Sequence, residues 1–355
     1  MLHRKQYRVA VRVTIMALAL TLTACETQEN TGSTESVKST ETVENMKSTE
    51  TVENTETVKG TENVESTETI ENAEIIGAMV SESVAPQGTA NVTPQMQLVE
   101  YTDLQQITLD PTWKYADHSK INTGAAVLYP APEESGRKGI VIGVNAGHGT
   151  AGGAKVKTLC HPDGSAKVTG GSTAAGATEA VAVSGGMTFQ DGTPEREVTL
   201  RMAQILRDKL LSSGYDVLML RDSEDVQLDN VARTVICNNV ADCHIALHWD
   251  SGDGKNYDKG CFYISVPEAL KTMEPVASHW QQHDTLGTDL VEGLREQGTM
   301  IYGKGNMSID LTQTSYSTIP SVDMELGNAY SDHSDVVLEQ LATGLLAGIN
   351  TYFEQ

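Results

Sequence analysis

Apolar and polar positions alternate with two different periods from about residue 139 to the end of the chain. Short apolar runs bounded by polar residues or glycine predict strands, and apolar residues spaced three or four positions apart predict helices. The predicted strands are residues 139–144, 216–220, 243–248, 261–266 and 322–326. The predicted helices are residues 195–213, 228–240, 285–297 and 334–352, the first of which ends before Gly214, a typical stop signal.

The order of these elements predicts the fold class. Strands that alternate with helices are typical of α/β proteins. We therefore predict a single three-layer α/β domain over residues 138–355, with a mostly parallel or mixed central sheet and helices on both faces. Residues 96–137 form a transitional segment before it, with Trp113, Tyr115 and Tyr129 as its first large core-forming side chains.

Residues 26–95 have a different composition, built on variants of Ser-Thr-Glu-Thr-Val-Glu-Asn without aromatic side chains. They hold 14 glutamates and 3 lysines, so like charges repel one another, and too little apolar surface is present to offset the entropy of folding. We predict a disordered stalk. As a flexible coil, its roughly 70 residues would span about 45 Å, enough to hold a domain away from a membrane surface.

Residues 1–25 carry a leader pattern. Four basic residues and no acidic ones precede an apolar run at residues 13–20, which is too short to span a bilayer comfortably. Residues 22–25, Leu-Thr-Ala-Cys, resemble the lipobox of bacterial lipoproteins. The resemblance implies cleavage before Cys25 and a diacylglycerol on its thiol, so we expect an extracytoplasmic protein, lipid-anchored to the cell membrane. The alternative is an ordinary secretory signal in which the cysteine has no role.

Charge narrows the class of partner. The chain carries a net charge of −23, and residues 96–355 alone account for −16 once the +4 of the leader and the −11 of the stalk are set aside. Nucleic-acid binding needs a basic surface, so this acidic domain argues against a nucleic-acid partner.

Four cysteines remain besides Cys25, at Cys160, Cys237, Cys243 and Cys261. An even number in an exported protein permits two disulfides. Cys243, however, lies in an apolar run, where a free cysteine behaves as a small hydrophobic side chain. We therefore favour four reduced cysteines.

Four residues able to bind a metal or transfer a proton stand at the ends of predicted elements. His148, His248 and Glu325 each end or follow an apolar run, and Glu195 begins a helix. Functional groups gather at strand ends in α/β sheets, although a single His or Glu there is usually an ordinary surface or hydrogen-bonded residue. Four of them at four element ends indicate a site.

The stretches around these four residues resemble the motifs of the zinc-dependent N-acetylmuramoyl-L-alanine amidases. The first is Val-Asn-Ala-Gly-His-Gly at residues 144–149, and the second is Glu-Arg-Glu-Val-Thr-Leu at residues 195–200. Ala-Leu-His at residues 246–248 is the third, and Pro-Ser-Val-Asp-Met-Glu-Leu-Gly at residues 320–327 is the fourth. The resemblance runs in order over about residues 139–354.

The resemblance implies a role for each residue. His148, Glu195 and His248 would bind one Zn²⁺ per chain and leave a fourth position for water, as in catalytic zinc sites. Glu325 would be the general base. The substrate would be peptidoglycan, cut between N-acetylmuramic acid and L-alanine by a monomeric enzyme. Glu197 competes with Glu195 for the second ligand position, but lies about 200° away round the helix.

The chain departs from the family pattern in two places. Trp249 and Asp250 follow the third ligand where a small residue and Asn are usual, and both are candidates for binding substrate. Trp249 would stack on a sugar or, alternatively, pack inside the fold. Residues 149–194 form a long Gly/Thr/Ala-rich insertion between the first two ligands, either a lid that shapes the substrate site or a structural excursion on its rim.

Two other functions remain open on the residues alone. A zinc peptidase acting on wall peptides would keep the metal and cut another bond, but a carboxypeptidase would show a His-x-x-Glu pair that residues 148–151 lack. A non-catalytic lipoprotein that binds wall fragments at the cell surface would have no use for a base at Glu325.

Overall fold

The computed structural model describes residues 101, 103–252 and 254–354, all of which belong to one compact unit. The predicted leader with Cys25, the predicted stalk and the first residues of the transitional segment lie outside the described residues.

The described residues form ten strands and five α-helices. The strands are β1 (Gln105–Ile107), β2 (Ala126–Tyr129), β3 (Val141–Ala146), β4 (Lys157–Leu159), β5 (Glu179–Val181), β6 (Asp216–Met219), β7 (Cys243–Asp250), β8 (Cys261–Ser265), β9 (Ile301–Ser308) and β10 (Ser321–Asn328). The helices are α1 (Glu195–Ser212), α2 (Asn230–Val240), α3 (Val276–Glu296), α4 (Thr312–Tyr316) and α5 (Asp335–Phe353).

Eight of these strands form a mixed sheet in the order β1-β2-β6-β3-β7-β10-β8-β9, and β4 and β5 form a small hairpin sheet of their own. The four central strands β6, β3, β7 and β10 are parallel. Antiparallel pairs join β2 to β6 and β8 to β10. The predicted mixed sheet is confirmed.

Helices cover both faces of the sheet, as predicted. On one face, α1, α3 and α5 bury their apolar stripes against the central strands, with Leu206, Leu290 and Leu345 all fully buried. Each such leucine contributes about 2 kcal/mol of burial free energy. On the other face, α2 packs Ile236 against Leu218 of β6.

Several elements differ from the sequence prediction, among them β4, β5 and α4, which were not predicted. Residues 96–137 were expected to be only transitional, yet β1 and β2 within them extend the sheet. Helix α3 begins at Val276 rather than at residue 285, because the polar run after Val276 hides the helical spacing. β9 was missed because it is an edge strand with glycines and several exposed positions instead of an apolar run.

Two further expectations concern single features. Cys160, Cys237, Cys243 and Cys261 are free and buried, as favoured. Across the described part of the chain, no helix combines the length and the hydropathy that crossing a membrane requires.

Candidate active site

Three neighbouring strands bring the predicted residues together. β3, β7 and β10 lie side by side and parallel, so their carboxyl ends meet at one edge of the sheet. His148 follows β3, His248 lies in β7, and Glu325 lies in β10 directly opposite His248. Glu195 is the first residue of α1.

Three side-chain atoms of these residues converge on one point. His148 Nε2 lies 2.8 Å from Glu195 Oε1 and 3.0 Å from His248 Nδ1, and His248 Nδ1 lies 3.2 Å from Glu195 Oε1. Ligands about 2.1 Å from a tetrahedral metal are about 3.3 Å apart, so the three atoms are close to one face of such a shell. Among the described residues, this is the one His/Cys/Asp/Glu group able to hold a metal ion.

The remaining polar atoms of two of the three residues are occupied by backbone groups. His148 Nδ1 donates to the carbonyl of Ser184 at 3.0 Å, which leaves Nε2 with its lone pair. Glu195 Oε2 accepts the amide of Met187 at 2.8 Å, and Glu195 Oε1 accepts that of Trp249 at 3.0 Å. Metal-binding histidines are oriented in this way in other proteins, and the donor set therefore fits a metal.

Two glycines allow this close packing. A Cβ at Gly147 would lie 2.3 Å from Cε1 of His248, and a Cβ at Gly186 would lie 2.8 Å from Cδ2 of His148 and 2.9 Å from Oε2 of Glu195. Gly186 also has a φ of +81°, which a residue with a side chain rarely adopts. Both positions exclude any larger residue.

The electrostatics of the site favour a positive charge between these atoms. Burial raises the pKa of Glu195, but hydrogen bonds from His148 and His248 outweigh it and hold that pKa below its ordinary value. Burial lowers the pKa of His248, but Asp323 and Glu195 outweigh it and raise that pKa to about 10.

Glu325 and Asp323 face the same cavity. Val322, Met324 and Leu326 point to the opposite side of β10 and are buried in the core, because successive side chains of a strand alternate between its faces. Burial, and then the charge of Asp323, raise the pKa of Glu325 well above its ordinary value. Glu325 Oε2 and Asp323 Oδ1 are buried and have no hydrogen-bond partner within the part of the chain that is described.

These residues open into a cavity of about 480 Å³. The four predicted residues line it together with Asp250, Asp323 and part of the insertion. A cavity of this size holds a small ligand or one segment of a polymer.

The two candidate substrate residues both border the cavity but are buried to different extents. Trp249 lies on the opposite face of β7 from His248, with its side chain 2% exposed and its ring 5.9 Å from that of Phe189. The structure favours packing for Trp249, one of the two roles that the sequence left open, because strand alternation sends its ring into the core, while the residue also belongs to the lining of the cavity. Asp250 shares the face of His248, lines the cavity and forms an ion pair with Lys259.

Two buried arginines hold the loop of His148, although no sequence pattern predicted them as part of the site. Arg221 donates to the carbonyls of Ala146 at 3.1 Å and Gly147 at 3.0 Å. Arg233 donates to the carbonyls of Ala146 at 3.1 Å and His148 at 2.6 Å. Burial lowers the pKa of Arg221 to about 10 and that of Arg233 to about 9, so both stay charged at neutral pH.

Part of the insertion between the first two ligands lines the cavity. Near its end, Ser184 and Met187 bind His148 and Glu195. Its middle part is held by His161, whose Nε2 lies 2.9 Å from Oδ1 of Asp310, both side chains being fully buried. The insertion thus lies beside the site, as expected, and is tied to the loop that precedes α4.

A comparison with protein families gives one match. Residues 142–347 match the family model described as N-acetylmuramoyl-L-alanine amidase. No curated protein sequence gives a significant match.

Solved structures resemble the chain as well. The N-acetylmuramyl-L-alanine amidase of Mycobacterium smegmatis is 16% identical with a TM-score of 0.50, and the match covers 61% of this chain and 97% of that one. That of Mycobacterium abscessus is 19% identical with a TM-score of 0.49, and the match covers 61% of this chain and 99% of that one. At such identities, the likeness to the Mycobacterium smegmatis protein indicates a shared fold.

Proposed function

The chain belongs to the N-acetylmuramoyl-L-alanine amidase family, and from this premise we propose that its active site is the cavity of His148, Glu195, His248 and Glu325, with one Zn²⁺ as cofactor. As a member of this family, the protein is a peptidoglycan hydrolase that cuts the amide bond between N-acetylmuramic acid and L-alanine.

One observation carries the metal assignment. The three donor atoms lie 2.8–3.2 Å from one another, and backbone groups occupy the other polar atoms of His148 and Glu195. Two imidazoles and one carboxylate with an open position are the ligand set of catalytic zinc sites. Zinc bound there would lower the pKa of water and polarise the amide carbonyl.

Glu325 supplies the proton transfers in this proposal. Its carboxylate takes a proton from the attacking water and later gives one to the nitrogen of the departing L-alanine. Burial and the neighbouring Asp323 raise its pKa well above the ordinary value, so it holds a proton better than an exposed glutamate. A protein that only binds wall fragments would not need such a group.

The family and the predicted leader both support a location outside the cytoplasm. An amidase of peptidoglycan acts in the wall. We propose that Cys25 carries the lipid anchor, that residues 26–95 give the domain its reach, and that the enzyme is a monomer. Asp250, which lines the cavity, is our candidate for contact with the substrate.

Digestion of purified peptidoglycan tests the activity. The zinc-loaded full-length protein should release peptides with a free L-alanine amino terminus and leave lactyl carboxylates on the glycan, both identified by mass spectrometry. A chelator should stop the reaction and added Zn²⁺ should restore it. Cleavage between amino acids of the peptide would make the protein a wall peptidase.

Cell fractionation tests the anchor. Cys25→Ala should move the protein from the membrane fraction to the soluble fraction, because the lipid can no longer be attached, while the digestion of soluble wall fragments stays unchanged. A Cys25→Ala protein that still sediments with membranes would contradict the lipid anchor.

A further inference from the structure

Asp323 is a partly buried acidic residue that the proposed mechanism leaves without a role. It lies on β10 beside β7, two positions before Glu325 and on the same face of the sheet. Its Oδ2 atom lies 3.8 Å from Nε2 of His248. Its Oδ1 atom is buried without a hydrogen-bond partner among the described residues.

Both histidines of the site need a hydrogen-bond acceptor for the ring nitrogen that does not face the metal. Each must offer an unprotonated nitrogen to the metal, so each must carry its proton on the other nitrogen. His148 does so by donating Nδ1–H to the carbonyl of Ser184. His248 turns Nδ1 toward the other ligands, so its proton belongs on Nε2, the nitrogen that faces Asp323.

We propose that Asp323 is the positioning residue of His248: its carboxylate accepts the Nε2–H, fixes the tautomer and holds Nδ1 toward the metal. The inference rests on the zinc site of the proposed function. The 3.8 Å between Oδ2 of Asp323 and Nε2 of His248 exceeds the usual hydrogen-bond distance of about 2.7–3.2 Å, so the two atoms must approach by roughly 1 Å to form the bond. A carboxylate behind a metal-binding imidazole also strengthens its donor nitrogen.

The unpaired Oδ1 atom of Asp323 distinguishes a role in positioning His248 from a role in stabilising the fold. Burying a carboxylate without enough hydrogen bonds costs stability, so Asp323 is a poor choice for folding alone. Replacing it with alanine should therefore leave the stability of the metal-free protein unchanged or higher, while zinc affinity falls. A residue that merely supports the fold would lower both.

Zinc affinity of the full-length protein, measured by competition with a fluorescent chelator, tests the proposal. Asp323→Ala should weaken binding by about 10–100-fold, the usual cost of losing such a partner. Asp323→Asn keeps an acceptor oxygen without the charge and should lose less. Glu325→Gln is the matched control, because it removes a buried carboxylate from the same face of β10 and should leave zinc affinity near wild type.

Two more measurements complete the test. Thermal unfolding of the metal-free proteins should give Asp323→Ala a melting temperature at or above wild type. Nitrogen NMR of histidine-labelled, zinc-loaded protein should show His248 protonated at Nε2. The proposal is overturned by a zinc affinity of Asp323→Ala within threefold of wild type, by a matching loss of stability, or by a proton on Nδ1. A wild-type protein that binds no zinc would instead refute the metal site itself.

Discussion

The two histidines that face each other in the site are held by different means. His148 lies in a loop after β3, with a left-handed φ of 66°, whereas His248 lies inside the regular strand β7. The left-handed backbone costs about 1 kcal/mol for a residue with a side chain. A strand residue has no such cost, because its extended backbone is an ordinary conformation, and pairing with Glu325 of β10 fixes the position of His248.

The groups that surround His148 and His248 differ accordingly. The carbonyls of Ala146, Gly147 and His148 accept hydrogen bonds from the buried guanidiniums of Arg221 and Arg233. Around His248 the backbone is satisfied by the sheet, and what faces its free nitrogen is a side chain, Asp323. The loop ligand should therefore depend on groups that also hold the fold, and the strand ligand on a group that does not.

The largest effect should come from removing a ligand. His148→Ala, His248→Ala and Glu195→Ala should each lose stoichiometric zinc and, with it, amidase activity, because a three-residue site has no spare donor. Metal analysis after gel filtration and digestion of peptidoglycan measure both. Full zinc content in either histidine variant would show that this histidine is not a zinc ligand, and the comparison between His148 and His248 would no longer hold.

Glu325→Gln should have the next largest effect and act on turnover alone. The change keeps the size of the side chain but removes the proton acceptor, so turnover should fall by roughly 10²–10⁴-fold. Zinc content and melting temperature should stay near wild type. Undiminished activity would show that no base at this position is needed.

Arg233→Ala should separate the two ligand environments. It removes several hydrogen bonds from a buried cation to the loop of His148, so the free energy of unfolding should fall by about 3 kcal/mol, and zinc affinity should fall with it. Urea unfolding of the metal-free protein and chelator competition measure the two quantities. Arg295→Ala is the control, an exposed arginine whose loss should change stability by less than about 0.5 kcal/mol.

An unchanged stability of Arg233→Ala would contradict the view that the loop depends on buried guanidiniums. If Arg233→Ala lost zinc affinity without losing stability, Arg233 would support the metal site but not the fold, as proposed for Asp323. The two histidines would then not differ in the kind of group on which they depend.

The smallest effect should come from Glu197→Ala. In the sequence analysis, Glu197 was the alternative to Glu195 as the second metal ligand. In the structure, its side chain is exposed and forms an ion pair with Arg196. Zinc affinity should stay within about twofold of wild type, and stability within about 0.5 kcal/mol. A strong loss of zinc would mean that α1 presents a different residue to the metal.

Much of the site was accessible from local patterns. The apolar runs predicted the four central strands, the spacing of α1 predicted its buried face, and the motifs picked out His148, Glu195, His248 and Glu325. Alternation along β10 also assigned Glu325 to one face and Met324 to the other. These features depend on neighbours within a few residues, which the sequence displays directly.

The sequence by itself determined which elements form and which residue types end them; the tertiary structure decided what those residues meet. The carbonyl of Ser184, the carboxylate of Asp323 and the guanidinium of Arg233 reach the two histidines only because β3, β7 and β10 are neighbours and the insertion returns beside them. The sequence left two roles open for Trp249 for the same reason, since the core that buries it comes from distant segments. Periodicity reports the face on which a side chain lies, but strand order and loop paths determine its partners, because these arise from packing between residues far apart in the chain.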